Sequence, residues 1–271
     1  MMDFLRRHTN FLSLFAVCYL LFLYVPVLLL PLFSFNDNIY VTLPLKGFTL
    51  KWYEALIHNK ALLSAVWASV KVGIGVSLFS TLFGLMAARA MTRYRFPGRR
   101  SLYALIMLPL VIPYMVIGVS TLVILRRLLD VELDLWTVGA SHVLITVPLS
   151  MLVLMARMEG FDRSLEEASR DLGDSAWKSF RRVTLPLVMP GIVSSFLLCF
   201  ITSFDEYLLA FFLAGSDATL PIFIFSSLRF PNKLPDVLAL GSLILMVSIV
   251  LVVFAEWLRR RGVSGSDSSV I

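Results

Sequence analysis

Charged residues are scarce in this chain. Only 15% of its 271 residues are Asp, Glu, Lys or Arg, against about 25% in an average soluble domain. That excludes a disordered chain and an ordinary soluble enzyme. Cysteine is nearly absent: Cys18 and Cys199 both lie inside apolar blocks, so no disulfide framework is available and both read as small core residues. The three histidines, His8, His58 and His142, are scattered and form no metal-ligand pattern. No G-x-x-x-x-G-K-[ST] loop occurs, which excludes ATP hydrolysis through that motif. Neither H-E-x-x-H nor G-x-S-x-G is present, and no repeat of 20–50 residues is visible. The chain is not expected to be an enzyme or to bind a cofactor of its own.

Apolar sequence is abundant. Hydrophobic residues make up 58% and mean hydropathy is +0.85, more than a soluble core of this length could bury. Six blocks are long enough to cross a bilayer as helices, which takes roughly 20 residues. They run from Phe11 to Phe33, Leu62 to Ala88, Leu102 to Leu125, Trp136 to Ala156, Leu187 to Ala214 and Val237 to Glu256. The first follows Arg6 and Arg7 but has no small-residue cleavage site, so it reads as an uncleaved anchor. Most of the 24 Lys and Arg fall on the N-terminus, the second and fourth loops and the C-terminus, where Arg259, Arg260 and Arg261 close the last block. The positive-inside rule places those segments, and both termini, in the cytoplasm. It also accounts for the net charge of +6 without nucleic acid. The expectation is an all-α integral membrane protein: one transmembrane domain over 1–262, then a short disordered tail from Val263 to Ile271. Pro26, Pro31, Gly73, Gly75, Pro109, Pro113, Pro148, Pro190 and Gly191 interrupt the spans. Such breaks are tolerated where neighbouring helices or water-lined cavities satisfy the freed backbone.

The fourth loop, 157–186, is too long and patterned for a plain connector. Ser164 with Glu167 three residues on is a capping-box signature, and Leu165, Ala168 and Leu172 share one face of the helix that follows. Gly173 suits its left-handed end. Asp174 or Ser175 can cap a second short helix whose apolar positions are Ala176, Phe180 and Val183, with Lys178, Arg181 and Arg182 facing elsewhere. The result is a helix–turn–helix elbow. It either lies on the bilayer surface with its basic side on the headgroups or docks its apolar ridge on a partner.

These residues also carry a resemblance. Glu167-Ala168-Ser169, Asp171-Leu172-Gly173, Phe180 and Thr184-Leu185-Pro186 are similar to the E-A-A-x-x-x-G…L-P motif of permease subunits of bacterial ABC importers, with Ser169 at the third position in place of Ala. The segments Gly47–Tyr53, Arg93–Gly98 and Ser203–Glu206, followed by Phe211 and Phe212, resemble the spermidine/putrescine branch of that family. Pro109-Leu110-Val111-Ile112-Pro113 departs from it, since that branch can carry an acid after the first proline. The resemblance implies the type I importer permease fold with six spans, in a bacterial inner membrane. It implies that Glu167, Ala168, Ser169, Asp171, Leu172, Gly173, Ala176, Phe180, Leu185 and Pro186 form an elbow coupled to a cytoplasmic ATPase. It further implies two copies of that ATPase, which would hold ATP and Mg, a second related permease chain and a periplasmic binding protein. The solute would be a polyamine such as spermidine or putrescine, or another amine, a phosphonate or an opine.

Asp205 and Glu206 follow a long uncharged run. A carboxylate at bilayer depth costs about 2.5–3.5 kcal/mol on insertion scales, so two readings stand. In one the acids face a cavity as counter-charges for a cationic solute, or pair with Lys71. In the other the span ends at Phe204 and both lie at the interface. Trp52 and Tyr53 have a similar pair of readings, cation–π contact with an ammonium or anchoring at headgroup level. A stand-alone proton-coupled carrier using Asp205 and Glu206 as its relay, and a scaffold without transport, are the other classes open to such a chain.

Overall fold

A computed structural model describes residues 2–162 and 164–263. The expected disorder of the tail therefore concerns positions almost wholly outside the described residues. All regular structure among those residues is helical, apart from one isolated bridge between Asn36 and Phe48. The helices are α1 (Met2–Ser34), α2 (Lys51–His58), α3 (Lys60–Arg93), α4 (Arg99–Val111), α5 (Tyr114–Val123), α6 (Leu135–Glu159), α7 (Ser164–Asp171), α8 (Ala176–Ser179), α9 (Leu185–Asp205), α10 (Leu208–Leu213), α11 (Leu220–Ser227) and α12 (Leu234–Val263). Among the described residues five helical stretches are long and apolar enough to cross a membrane, and α4 with α5 makes a sixth if that bent pair is one span.

Two of the six expected spans are not single helices. The third breaks at Ile112–Pro113, where its halves meet at 101°. A proline disfavours the helical conformation of the residue before it, and Ile112 is extended at φ −80°, ψ 131°. The fifth ends at Asp205 rather than running on to Ala214, because Glu206 is extended and α10 starts afresh at Leu208. Its other end differs too. α8 passes through a π turn at Phe180–Thr184 directly into α9, so the second arm of the elbow is the foot of a 30-residue helical stretch rather than a separate helix.

The chain divides into two compact units, Met1–Lys60 with Ile224–Ile271, and Ala61–Phe223. In the first, α12 packs on α1 and α2. The Tyr53 hydroxyl hydrogen-bonds to Ser34 Oγ at 2.6 Å and donates to Ser242 Oγ at 3.1 Å, and the Phe35 ring stacks between Phe48 and Tyr53. Much of α1 stays uncovered by protein, Cys18 included. Cys18 is therefore not the core residue expected; the side of a helix that meets lipid needs no protein around it.

The second unit is built on α3, α6 and α9. One apolar cluster, Val72, Val76, Val138, Ala210, Leu213 and Ala214, lies far from the elbow. A second, at the elbow end, holds Ala88, Met91, Met151, Leu154, Met158 and Val188. Small residues and buried hydroxyls join the helices between them. Ser80 Oγ meets Thr146 Oγ1 at 2.7 Å, and Ser195 donates to Ser150 Oγ at 2.7 Å. Gly84 lies so close to α6 that a β-carbon there would sit 2.5 Å from Ser150 Cβ. Close approach at small residues plus interhelical hydrogen bonds is how helices associate when lipid removes the hydrophobic drive.

Candidate functional site

The elbow forms as its sequence signals require, with different residues holding it. α7 begins at Ser164, whose amide donates to the Asp162 carboxylate at 3.0 Å. That bond and one from the Ser164 side chain hold the Asp162 carboxyl below its ordinary range. Gly173 has φ +92°, a conformation that L side chains resist, and turns the chain. Ser175 caps the second arm, accepting from the Lys178 amide. Ser169, at the expected alanine position, is buried and donates to Asp174 Oδ2 at 3.1 Å, closing the turn. Asp174 also pairs with Arg182.

Glu167 is exposed. Its neighbour Glu166, overlooked in the motif, is buried at 8% exposure. It accepts from Arg93 Nε at 3.0 Å and from Thr184 Oγ1 at 2.9 Å, and its backbone oxygen takes the Ser179 hydroxyl. One carboxylate thus ties both arms of the elbow to the end of α3. Leu165, Ala168, Asp171 and Leu172 face outward, Leu172 at 89%. So do Ala176 and Pro186, while Leu185 is half-buried. Phe180 is half-buried as well, with Arg89 over its ring at 4.1 Å. Trp177, not singled out by the motif, takes the outward place at 68% and stacks on Phe180. The elbow therefore offers an uncovered apolar surface of Leu165, Leu172 and Trp177.

Asp205 and Glu206 part company. Asp205, the last residue of α9, is exposed. Glu206 is buried at 7% exposure, and its carboxylate accepts the amides of Leu208 (3.1 Å) and Leu209 (2.8 Å). It thus caps α10, where a negative charge meets the unpaired amides of a helix start. The Lys71 partnership is not formed, since Lys71 is exposed with no ion pair among the described residues. The side chain facing Glu206 is instead His142, its Nε2 3.5 Å from Oε2 and its Nδ1 2.9 Å from Ser203 Oγ. A lone histidine far from the acids in sequence gave no signal of this contact.

Trp52 and Tyr53 belong to the other unit. The Trp52 indole donates to the Asn36 carbonyl at 3.0 Å, and Lys51 lies over its ring at 4.5 Å. Both aromatic polar groups are therefore engaged by their own unit. Among the described residues no cluster of His, Cys, Asp and Glu could hold a metal ion.

Residues 80–262, which carry the elbow and the carboxylate pair, match the model of one protein family, the binding-protein-dependent transport system inner membrane component. The chain belongs to that family. The permease is 32% identical over 250 residues to the spermidine/putrescine transport system permease protein PotC of Escherichia coli (strain K12), covering 92% of this chain and 94% of that one. It is 35% identical over 243 residues to the putrescine transport system permease protein PotI of the same strain, covering 87% and 85%. Among solved structures, a chain of the bacterial ABC transporter that imports the acidic polysaccharide alginate superposes with a TM-score of 0.70 at 16% identity, over 94% and 96% of the two chains. The permease has the type I ABC importer fold and is a multi-pass inner-membrane subunit of an importer.

Proposed function

We propose that this permease carries a polyamine, spermidine or putrescine, delivered by a periplasmic binding protein. It works beside a second, related permease chain and above two copies of a cytoplasmic ATPase, which hold the ATP and Mg. Both termini face the cytoplasm. The observation that carries the substrate class is the likeness over 92% of the chain to a spermidine/putrescine permease, joined by a similar likeness to a putrescine permease.

The geometry adds roles. The uncovered ridge of Leu165, Leu172 and Trp177 suits a groove on the ATPase, and Gly173 and Glu166 set its angle to the spans. Closure of the ATPase pair on ATP would push on this ridge. Because α8 runs unbroken into α9, the push reaches the Asp205–Glu206 break along one helix. Asp205 is left free to meet an ammonium group, while Glu206 keeps the break in place.

The test is ATP hydrolysis by the purified complex with its binding protein, supplied with spermidine, putrescine, 2-aminoethylphosphonate or an opine. The reading expects stimulation by a polyamine alone. Stimulation by the phosphonate or the opine without a polyamine would assign a different solute.

A further inference from the structure

The fifth span is interrupted beside its exposed acid, and one buried side chain reaches both edges of the interruption. His142 lies on α6 at 1% exposure. Its Nδ1 meets Ser203 Oγ, two residues before Asp205, at 2.9 Å. Its Nε2 stands 3.5 Å from Oε2 of Glu206, the residue after Asp205. Asp205 is thus bracketed in sequence by the two contacts of a single imidazole, while its own side chain stays exposed.

A carboxylate only accepts, so the ring nitrogen facing it carries hydrogen, and in the neutral ring Nδ1 is left to take the Ser203 hydroxyl. Nε2 nevertheless makes no hydrogen bond, because 3.5 Å is beyond the usual reach. Burying such a donor costs free energy that an apolar side chain of similar size would not. Packing alone therefore does not call for histidine here.

The frame behind the ring is tied to α3. Thr146 Oγ1 donates to the His142 carbonyl at 2.7 Å and meets Ser80 Oγ at 2.7 Å. Ahead of the ring, Glu206 holds the Leu208 and Leu209 amides, and Leu209 packs with Ile117 and Ile145. A displaced Glu206 would release the start of α10, and with it the bend that presents Asp205.

We infer that His142 is a positioning residue for transport: from the α3–α6 frame it holds Ser203 and Glu206, and so fixes where the Asp205 carboxylate stands. The long Nε2 contact keeps this hold yielding, as a span that moves during transport requires. The inference rests on the reading that Asp205 meets the solute.

The experiment compares wild type, His142→Phe and His142→Gln in the complete complex, with two readouts. The first, independent of the solute, is hydrogen–deuterium exchange of the 206–213 amides. The second is ATP-dependent uptake of labelled spermidine into vesicles, read as half-saturating concentration and maximal rate. His142→Phe keeps the volume and loses both contacts. It should speed the exchange and raise the half-saturating concentration, each about tenfold or more, with the maximal rate largely kept. His142→Gln, whose amide can stand at the place of Nε2, should recover most of both. Should His142→Phe fail to assemble, His142→Asn, which reaches Ser203 but not Glu206, takes its place.

Unchanged exchange in His142→Phe overturns the inference whatever the solute is. So does faster exchange with an unchanged half-saturating concentration, since the histidine would then serve the fold alone. A half-saturating concentration unmoved by Asp205→Asn removes the Asp205 reading, and the inference with it. A wild type that takes up no spermidine fails the polyamine reading instead, and the second readout is then taken with the solute that stimulates hydrolysis.

Discussion

Arg93 and Glu166 meet at 3.0 Å across 73 residues of sequence, with both side chains about one-tenth exposed. Thr184 closes the same carboxylate from the other arm of the elbow. Removing one member of a buried pair leaves the other uncompensated and costs about 3–5 kcal/mol. Glu166→Ala should therefore lower thermal stability in detergent and abolish binding-protein-stimulated ATP hydrolysis. Glu167→Ala, at an exposed position, should change stability little. Equal losses in the two variants would contradict the assignment of Glu166 as the tie.

Gly173 sets the angle of the elbow. Proline fixes φ near −65°, which the observed +92° cannot accommodate. Gly173→Pro should leave membrane insertion intact while uncoupling ATP hydrolysis from substrate. Gly173→Ala should be milder, with roughly 1–2 kcal/mol of strain. Normal stimulated hydrolysis in the proline variant would show that the elbow does not transmit the motion.

Glu206 should behave as a helix cap rather than as a solute contact. Glu206→Ala orphans the Leu208 and Leu209 amides and should cost about 1–2 kcal/mol in thermal unfolding. Glu206→Gln keeps a carbonyl acceptor and should recover part of the loss. An alanine variant that unfolds at the wild-type temperature would remove this role.

Close helix packing gives a paired test at two glycines of α3. A β-carbon at Gly84 would lie 2.9 Å from the Met151 backbone nitrogen, while one at Gly75 meets nothing within 4 Å. Gly84→Val should destabilise by about 1–3 kcal/mol through overpacking. Gly75→Ala should be neutral or stabilise by up to about 1 kcal/mol, as glycine is a poor helix residue. The two unfolding temperatures, compared in one detergent, check the pair.

Much of this was legible in the residues. Apolar blocks of bilayer length announced the spans, and Gly173 between two capped arms announced the elbow. Other features depend on which face of a helix meets protein. Glu166 and Glu167 are adjacent, about 100° apart around α7; only the seat of the elbow against α3 decides which is buried. Phe180, expected on the ridge, is half-buried, and Trp177, which no motif singled out, faces outward for the same reason. Pro109 and Pro113 marked a weak point in the third span, but a 101° bend is set by where α5 packs against α10. Lys71, a cation inside the second apolar block, was the partner to invoke for the acids by charge alone, yet His142 on α6 took the place beside Glu206 through tertiary packing that no local pattern encodes.

The most direct test of a polyamine permease with its free carboxylate in the pathway is ATP-dependent uptake of labelled spermidine into vesicles holding the complete complex. Wild type and Asp205→Asn would be compared at equal expression and equal assembly. The account predicts uptake by the wild type, reduced at least tenfold in the variant with basal ATP hydrolysis retained. Wild-type vesicles that take up no spermidine or putrescine, or an Asp205→Asn variant that transports as well as the wild type, would contradict it.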